Sequence, residues 1–209
     1  MNLKVRKMTI EDETKLLEWR NEKDAKYNSF STKKINKDEH KRWFHNKLED
    51  VDSEIFIGVN DDGSSVGMVR FDIDKNQDYA SVSINVNTRW RGRKVSSILL
   101  DTAIQAFSLN RVLVLSASIR PENISSQKCF ERSGFSLYES GRESLLYLNK
   151  VLIINEIERI RSKNNVNWMN LMRLAFRVAP KEAEEIFKKV NTDDGTIATL
   201  LKKLTKSIN

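Results

Sequence analysis

The stretch Pro121-Glu-Asn-Ile-Ser-Ser-Gln-Lys-Cys-Phe-Glu-Arg-Ser-Gly-Phe135 decides the fold. It follows Val112-Leu-Val-Leu-Ser-Ala-Ser-Ile119, an apolar, β-branched run that reads as a central strand. Glu122 to Arg132 reads as a helix punctuated by Gly134. Upstream, Ser96 to Phe107 places Ile98, Leu99, Thr102, Ala103 and Ala106 at helical spacing. Before that come three strand-like runs, Glu54–Val59, Val66–Ile73 and Tyr79–Val86. Asn60–Ser65 and Asp74–Asp78 join them with good turn compositions, which predicts an antiparallel meander. Phe135–Tyr138 and Ser144–Leu148 can close the sheet. At the other end Leu3–Met8 alternates as an edge or half-buried strand. Thr9 or Asp12 can cap a helix with Leu16, Leu17 and Trp19 on its apolar side, and a second helix covers Lys37–Leu48. The order describes an α+β or α/β sheet with helices packed on it.

Beyond about Val151 the pattern is wholly helical. Trp168, Leu171, Met172, Ala175 and Val178 recur at helix spacing, and Pro180 suits a first helical position. Asp193 or Asp194 can cap a last helix bearing Ile197, Leu200, Leu201 and Leu204. The expectation is a main domain over residues 1–150 and an all-α extension over 151–209, of two or three short helices. Their apolar faces must be buried against one another, the main domain or another subunit.

At 39% hydrophobic and 31% charged residues, the chain can bury a core and is too apolar for a disordered one. No apolar run approaches the roughly 18–20 residues a bilayer span needs, and the acids near the start speak against a signal peptide. The single cysteine, Cys129, excludes an intramolecular disulfide, so a cytoplasmic location is expected, with no membrane partner. Of 36 Lys and Arg, 12 lie from Lys150 onward, against 7 of the 29 Asp and Glu; the basic excess sits mostly in the tail. No nucleic-acid-binding signature accompanies it, and a solvated Lys-rich helix surface accounts for it, so no nucleic-acid partner is expected.

Val86-Asn-Thr-Arg-Trp-Arg-Gly-Arg-Lys-Val-Ser-Ser97 joins a strand to a helix. Such a junction exposes unpaired backbone N–H groups at the positive end of the helix dipole. Gly92 allows close approach of a ligand, and Arg89, Arg91, Arg93 and Lys94 surround it with cations, an environment suited to a pyrophosphate.

Together the two segments resemble the GNAT superfamily of acyl-CoA N-acyltransferases. There a strand leads into an Asn-initiated helix that ends in an aromatic residue, an acid and Gly-Phe; Asn123, Ser126, Phe130, Glu131, Gly134 and Phe135 fall at matching offsets. Residues 91 to 96 resemble the family's pyrophosphate loop, usually (Gln/Arg)-x-x-Gly-x-(Gly/Ala), with Lys94 and Ser96 in place of both small residues. The resemblance covers roughly residues 3 to 149. It implies a mixed, mostly antiparallel sheet in which two central parallel strands, Tyr79–Val86 and Val112–Ile119, splay apart to take the pantetheine arm of acetyl-CoA as a pseudo-strand. The expected cofactor contacts are Val86, Arg91, Gly92, Arg93, Lys94, Val95, Ser96, Ser97, Asn123, Ser126 and Phe130. If φ at Lys94 is negative, its ammonium adds a direct phosphate contact.

The implied chemistry is direct transfer of acetyl to a primary amine, with no metal: His40 and His45 are five apart, poor spacing for a shared ion. Many relatives place a tyrosine acid where this chain has Phe130; Tyr138 or Tyr147 could replace it, or water could protonate the thiolate. Ser83 and Asn85 could orient a water but are not strong bases, which suggests an amine that sheds its proton readily. Cys129 reads as a packing residue.

Trp19-Arg-Asn21, Ser29-Phe30, Ile35 and His40-Lys-Arg-Trp43 resemble bacterial nucleotide-amino-sugar N-acetyltransferases of nonulosonic-acid and other surface-glycan pathways. On that resemblance Arg20 could pair with a phosphate, His40 accept a proton, and Trp19, Asn21 and Trp43 line the acceptor, although both tryptophans read more readily as core than as ligand platforms. Two alternatives stay open. One is an acceptor such as a protein N-terminus, ribosomal protein or polyamine; the other is a CoA-binding interaction protein whose C-terminal helices recruit a second copy or another partner.

Overall fold

The computed structural model describes residues 3–74, 76, 79–92 and 94–204, and the side chains of all of these but 190, 193, 194 and 196–204. The chain forms two compact units, residues 1–156 and 157–209.

In the first unit a seven-stranded sheet has the order β1-β2-β3-β4-β5-β7-β6. The strands are β1 Lys4–Lys7, β2 Ser53–Val59, β3 Ser65–Asp74, β4 Tyr79–Val86, β5 Val114–Ile119, β6 Ser136–Ser140 and β7 Leu145–Asn149. Helices α1 Glu13–Asn21, α2 Lys23–Tyr27 and α3 Lys37–Glu49 fill the β1–β2 connection; α4 Val95–Ser108 joins β4 to β5, and α5 Ile124–Arg132 joins β5 to β6. The meander β2–β3–β4 is antiparallel throughout. Of the Asp74–Asp78 turn, residues 75, 77 and 78 lie outside the described residues.

Alternation along the strands sorts two cores. On one face Val69 and Phe71 of β3, Ala80, Val82 and Val86 of β4 and Leu115, Ala117 and Ile119 of β5 pack with α4 and α5. Phe71 and Phe107 stack there at 4.2 Å. On the other face Leu16, Trp19 and Phe44 cover Ile55 and Ile57 of β2. The residues between the apolar ones on β4 and β5, Ser81, Ser83, Asn85, Ser116 and Ser118, therefore form a polar row on that second face.

Asp12 was read as a helix cap but turns back instead. Fully buried, it takes two 2.7 Å bonds from the Arg6 guanidinium and one of 2.9 Å from the Thr9 N–H. Burial alone would raise its pKa, but the bonds from Arg6 and Thr9 outweigh that and hold it below the ordinary value. A depressed folded-state pKa contributes stability that is present above the unfolded value, about 3.9, and lost as pH falls through the folded value. Asp12→Ala is expected to cost about 2 kcal/mol at pH 7, less than a fully buried pair because Arg6 is partly exposed. Urea denaturation should show the gap from wild type shrinking below pH 4; an unchanged gap would contradict this role.

The parallel pairing of β4 with β5 covers only Tyr79↔Val114, Ala80↔Leu115 and Ser81↔Ser116. Past that point β4 stays paired with β3 as far as Val86, and β5 with β7 as far as Ile119. The edges 82–86 and 117–119 thus face one another across a gap with no strand pairing. This is the arrangement the resemblance implies, a mixed sheet split at its centre.

The second unit comprises the rest of α6, Val151–Val178, and α7, Pro180–Leu204. These are two long helices, where two or three short ones were expected. Pro180 does open α7, but the helix runs on through Asp193, Asp194 and Gly195. Such weak helix formers cost only about 2 kcal/mol together, which a helix with strong formers on both sides tolerates. Phe176 and Phe187 stack at 5.5 Å, Trp168 meets Phe187 edge-on at 6.2 Å, and Ala183 is buried. Among the described residues no helix is long and apolar enough to cross a membrane.

Candidate functional site

Past Val86 the backbone leaves the sheet in a 3-10 turn, Thr88–Trp90, whose Arg89 N–H donates to the Asn87 side chain at 3.0 Å. Gly92 follows at φ +75° and Lys94 at φ +60°, after which α4 begins at Val95. Lys94 is the only non-glycine with positive φ among the described residues, and it stands where the family pattern has glycine. The left-handed backbone is therefore kept despite the side chain. With positive φ, the condition under which its ammonium was expected to reach a phosphate is not met. The loop delivers the N–H groups of Val95, Ser96 and Ser97, which a helix start leaves without intrahelical acceptors. Arg93 lies outside the described residues.

Holding Lys94 left-handed costs about 1–2 kcal/mol, while glycine there would cost about 0.5–1 kcal/mol of extra chain entropy. Lys94→Gly is accordingly expected to stabilise the ligand-free protein by up to about 1 kcal/mol, read as a rise in Tm. A fall in Tm would contradict the strain.

Arg91 does something other than face a phosphate. Its Nε donates to the Val86 carbonyl at 2.9 Å, and its Nη atoms reach Glu22 at 2.8 Å and Asp24 at 2.9 Å, while its own N–H donates to Thr88 O. The Thr88 hydroxyl also donates to Glu22. From the end of β5, Arg120 donates to the carbonyls of Tyr27 and Ser29, both at 3.3 Å. Arg20 donates to Ser29 Oγ and Ser31 O. Three arginines thus tie residues 22–31 down, two of them from the loops that leave the splayed strands. Glu22, Asp24 and Arg120 were missed in the sequence because no local pattern links positions 66 to 93 residues apart.

In the second segment Asn123 caps α5, its side-chain oxygen accepting from Ser126 N at 3.1 Å and Ser125 Oγ at 3.0 Å. Gly134 takes φ +82°, and the Phe135 N–H returns to Phe130 O. Phe130 is buried against Phe135, edge to face at 4.9 Å. Much of this segment is therefore the architecture that sets α5 beside β5. Tyr138 is 66% exposed on the outer strand β6, separated from the gap by β7 and β5, so it is no acid for a thiolate. Tyr147 is buried on β7 opposite Ala117 and donates to Glu131 at 3.3 Å; burial, then Glu131, raises its pKa. Burial also pushes the Cys129 thiol up, against a nucleophilic role.

The acceptor-side residues are mostly scaffold. His40 is buried with Nε2 2.9 Å from Glu13 O and its ring against Trp43 and Phe44, which fastens α3 to α1 and leaves no open base. Trp19 belongs to the second core and Trp43 packs on it, with Arg70 5.6 Å over its ring. Asn21 clasps Ile35 by two 2.9 Å bonds. Ser83 and Asn85 sit on the half-buried polar row at the gap's edge. A cavity of about 480 Å³ near the end of β4 is lined by Lys15, Glu18, Trp19, Glu22, Ser65 and Arg89 among others. With Glu22 paired to Arg91, the lining keeps Lys15 and Arg89 against Glu18, a small positive excess. Among the described residues no three His, Cys, Asp or Glu side chains cluster as a metal site would.

The acetyltransferase (GNAT) domain family matches residues 2–136. Solved structures with the same fold include a domain from Methanocaldococcus jannaschii DSM 2661, 21% identical, at TM-score 0.61 over 70% of this chain and 97% of that one. A spermidine N-acetyltransferase from Vibrio cholerae, solved with CoA and spermine, is 16% identical at TM-score 0.61, covering 70% and 92%. An aminoglycoside acetyltransferase AAC(6')-Ib with coenzyme A is 14% identical at TM-score 0.61, covering 70% and 93%. No curated protein matches the chain.

Proposed function

The chain belongs to the GNAT acetyltransferase family, and from that premise we propose that it transfers acetyl from acetyl-CoA directly to a primary amine of a nucleotide-linked amino sugar, in surface-glycan synthesis. Residues 1–150 form the catalytic domain in this reading and 151–209 an extension.

The cofactor fits what these residues offer. The unpaired edges 82–86 and 117–119 give a pantetheine arm backbone partners, and the N–H groups of Val95, Ser96 and Ser97 suit the pyrophosphate. Two of the solved structures named above, the spermidine N-acetyltransferase and the aminoglycoside acetyltransferase, were captured with CoA. Acetyl-CoA supplies an activated acyl group; the protein positions the amine and polarises the carbonyl with backbone N–H groups. Ser83 and Asn85 are placed to orient a water that takes the amine proton. Phe130 has no proton to give, and Tyr147 is engaged with Glu131, so the departing thiolate is protonated by water.

The observation that carries the choice of acceptor is the charge around the gap. A polyamine or aminoglycoside needs unopposed carboxylates. Here Glu22 and Asp24 are bound by Arg91, so that among the described residues Glu18 is the one carboxylate of the cavity lining without an ion pair, while Lys15, Arg20, Arg89 and Arg120 stand nearby. A nucleotide sugar brings its own phosphates, and the row Ser81, Ser83, Asn85, Ser116 and Ser118 suits its hydroxyls. Thiol release should be followed with a UDP-4-amino sugar, spermidine and kanamycin in parallel. The sugar is expected to show a kcat/KM about a hundredfold above the others, roughly the discrimination one lost charged contact gives. Preferred turnover of either polycation would overturn this choice of acceptor. Tight acetyl-CoA binding with no turnover of any amine would favour a CoA-binding interaction protein.

A further inference from the structure

α6 presents two apolar faces. Trp168, Met172 and Phe176 line one, shared with Phe187 of α7. The other comprises Ile157, Ile160, Asn164, Asn167, Leu171, Leu174 and Val178, in steps of three and four residues that average 3.5. Its apolar members are between 47% and 73% exposed. A 3.5-residue period is the seam of a helix meant to pack along another helix, whereas a face on a globular core follows 3.6.

We propose that this seam pairs with the same seam of a second copy of the chain. In an antiparallel two-fold register Ile157 meets Leu174, Ile160 meets Leu171, and Asn164 meets Asn167 of the other copy, so each of these layers is matched in polarity, with Val178 beyond them at the end. The same register sets Glu156 across from Arg177 and Arg161 across from Trp168, an ion pair and a cation–π contact. The two asparagines decide against a lipid surface. Midway along the apolar stripe, they would enter a membrane with their amides unpaired, a burial that is costly. Across a two-fold axis they bond each other, and such a polar layer fixes register.

Sedimentation of the full chain at micromolar concentration tests this. Wild type should run at twice the chain mass, and Ile160→Glu with Leu171→Glu should run at the chain mass with helicity and acetyl-CoA affinity unchanged, since both positions are exposed. Asn164→Leu with Asn167→Leu should tighten the dimer or raise its order, which keeps the idea testable if the charged variant misfolds. A monomeric wild type, a dimer indifferent to all four substitutions, or pelleting of a monomer with phosphatidylserine vesicles would each overturn it.

Discussion

Replacing Arg91 with alanine is expected to cut kcat/KM about a hundredfold for acetyl-CoA and for the amine alike. The expectation follows from what one guanidinium joins. It binds the last carbonyl of β4 at Val86, and through Glu22 and Asp24 it holds α2. The loop that presents the amides of Val95–Ser97 and the wall over the gap are thereby one rigid piece. Without Arg91 the Glu22 and Asp24 carboxylates lose the guanidinium that joins them to β4, and Thr88 alone still bonds Glu22. A displacement of about 1 Å of a positioning element is enough for a loss near a hundredfold. Arg91→Lys keeps a charge but not the forked geometry, and should fall between. Steady-state kinetics against both substrates decide it: a rise in the acetyl-CoA KM alone would mean that the side chain serves the pyrophosphate only.

Gly67→Ala is expected to destabilise the fold by on the order of 3 kcal/mol, the upper range for forcing atoms into a filled core. A Cβ there would lie 2.5 Å from the Asn85 carbonyl oxygen, 2.9 Å from Val86 Cα and 3.0 Å from Leu99 Cδ2. Two of these are backbone and cannot rotate away. β3 and β4 would have to separate where β4 has already lost β5 as a partner, leaving its end without support on either side. Gly63→Ala makes the contrast, because nothing lies within 4 Å of its Cβ and only its positive φ is strained. Chemical denaturation of both variants checks this; equal costs would show that Gly67 is not held by close packing.

The sheet was legible because each strand from β2 to β5 alternates or runs apolar and each turn is marked by Asp, Asn, Ser or Gly. Asn123 through Phe135 was legible because capping, a left-handed glycine and a Phe–Phe contact all act locally. The acceptor wall was not. Trp19, Asn21, His40 and Trp43 have chemistry that suits a ligand as well as a core, and only their neighbours show that they brace α1, α3 and the loop to Ile35. Arg91 carried a plausible phosphate role until Glu22 and Asp24, distant in sequence, proved to be its partners. Lys94 was the reverse case. Its side chain argued against a left-handed residue, and the loop imposes one all the same.

The central claim is that acetyl-CoA completes the split sheet. Amide hydrogen exchange with and without acetyl-CoA, with no amine present, reads this directly and does not depend on knowing the acceptor. Slowed exchange is predicted in residues 82–86, 95–97 and 117–119 together, the two unpaired edges and the start of α4. Protection that spared both strand edges while acetyl-CoA bound elsewhere would contradict the account.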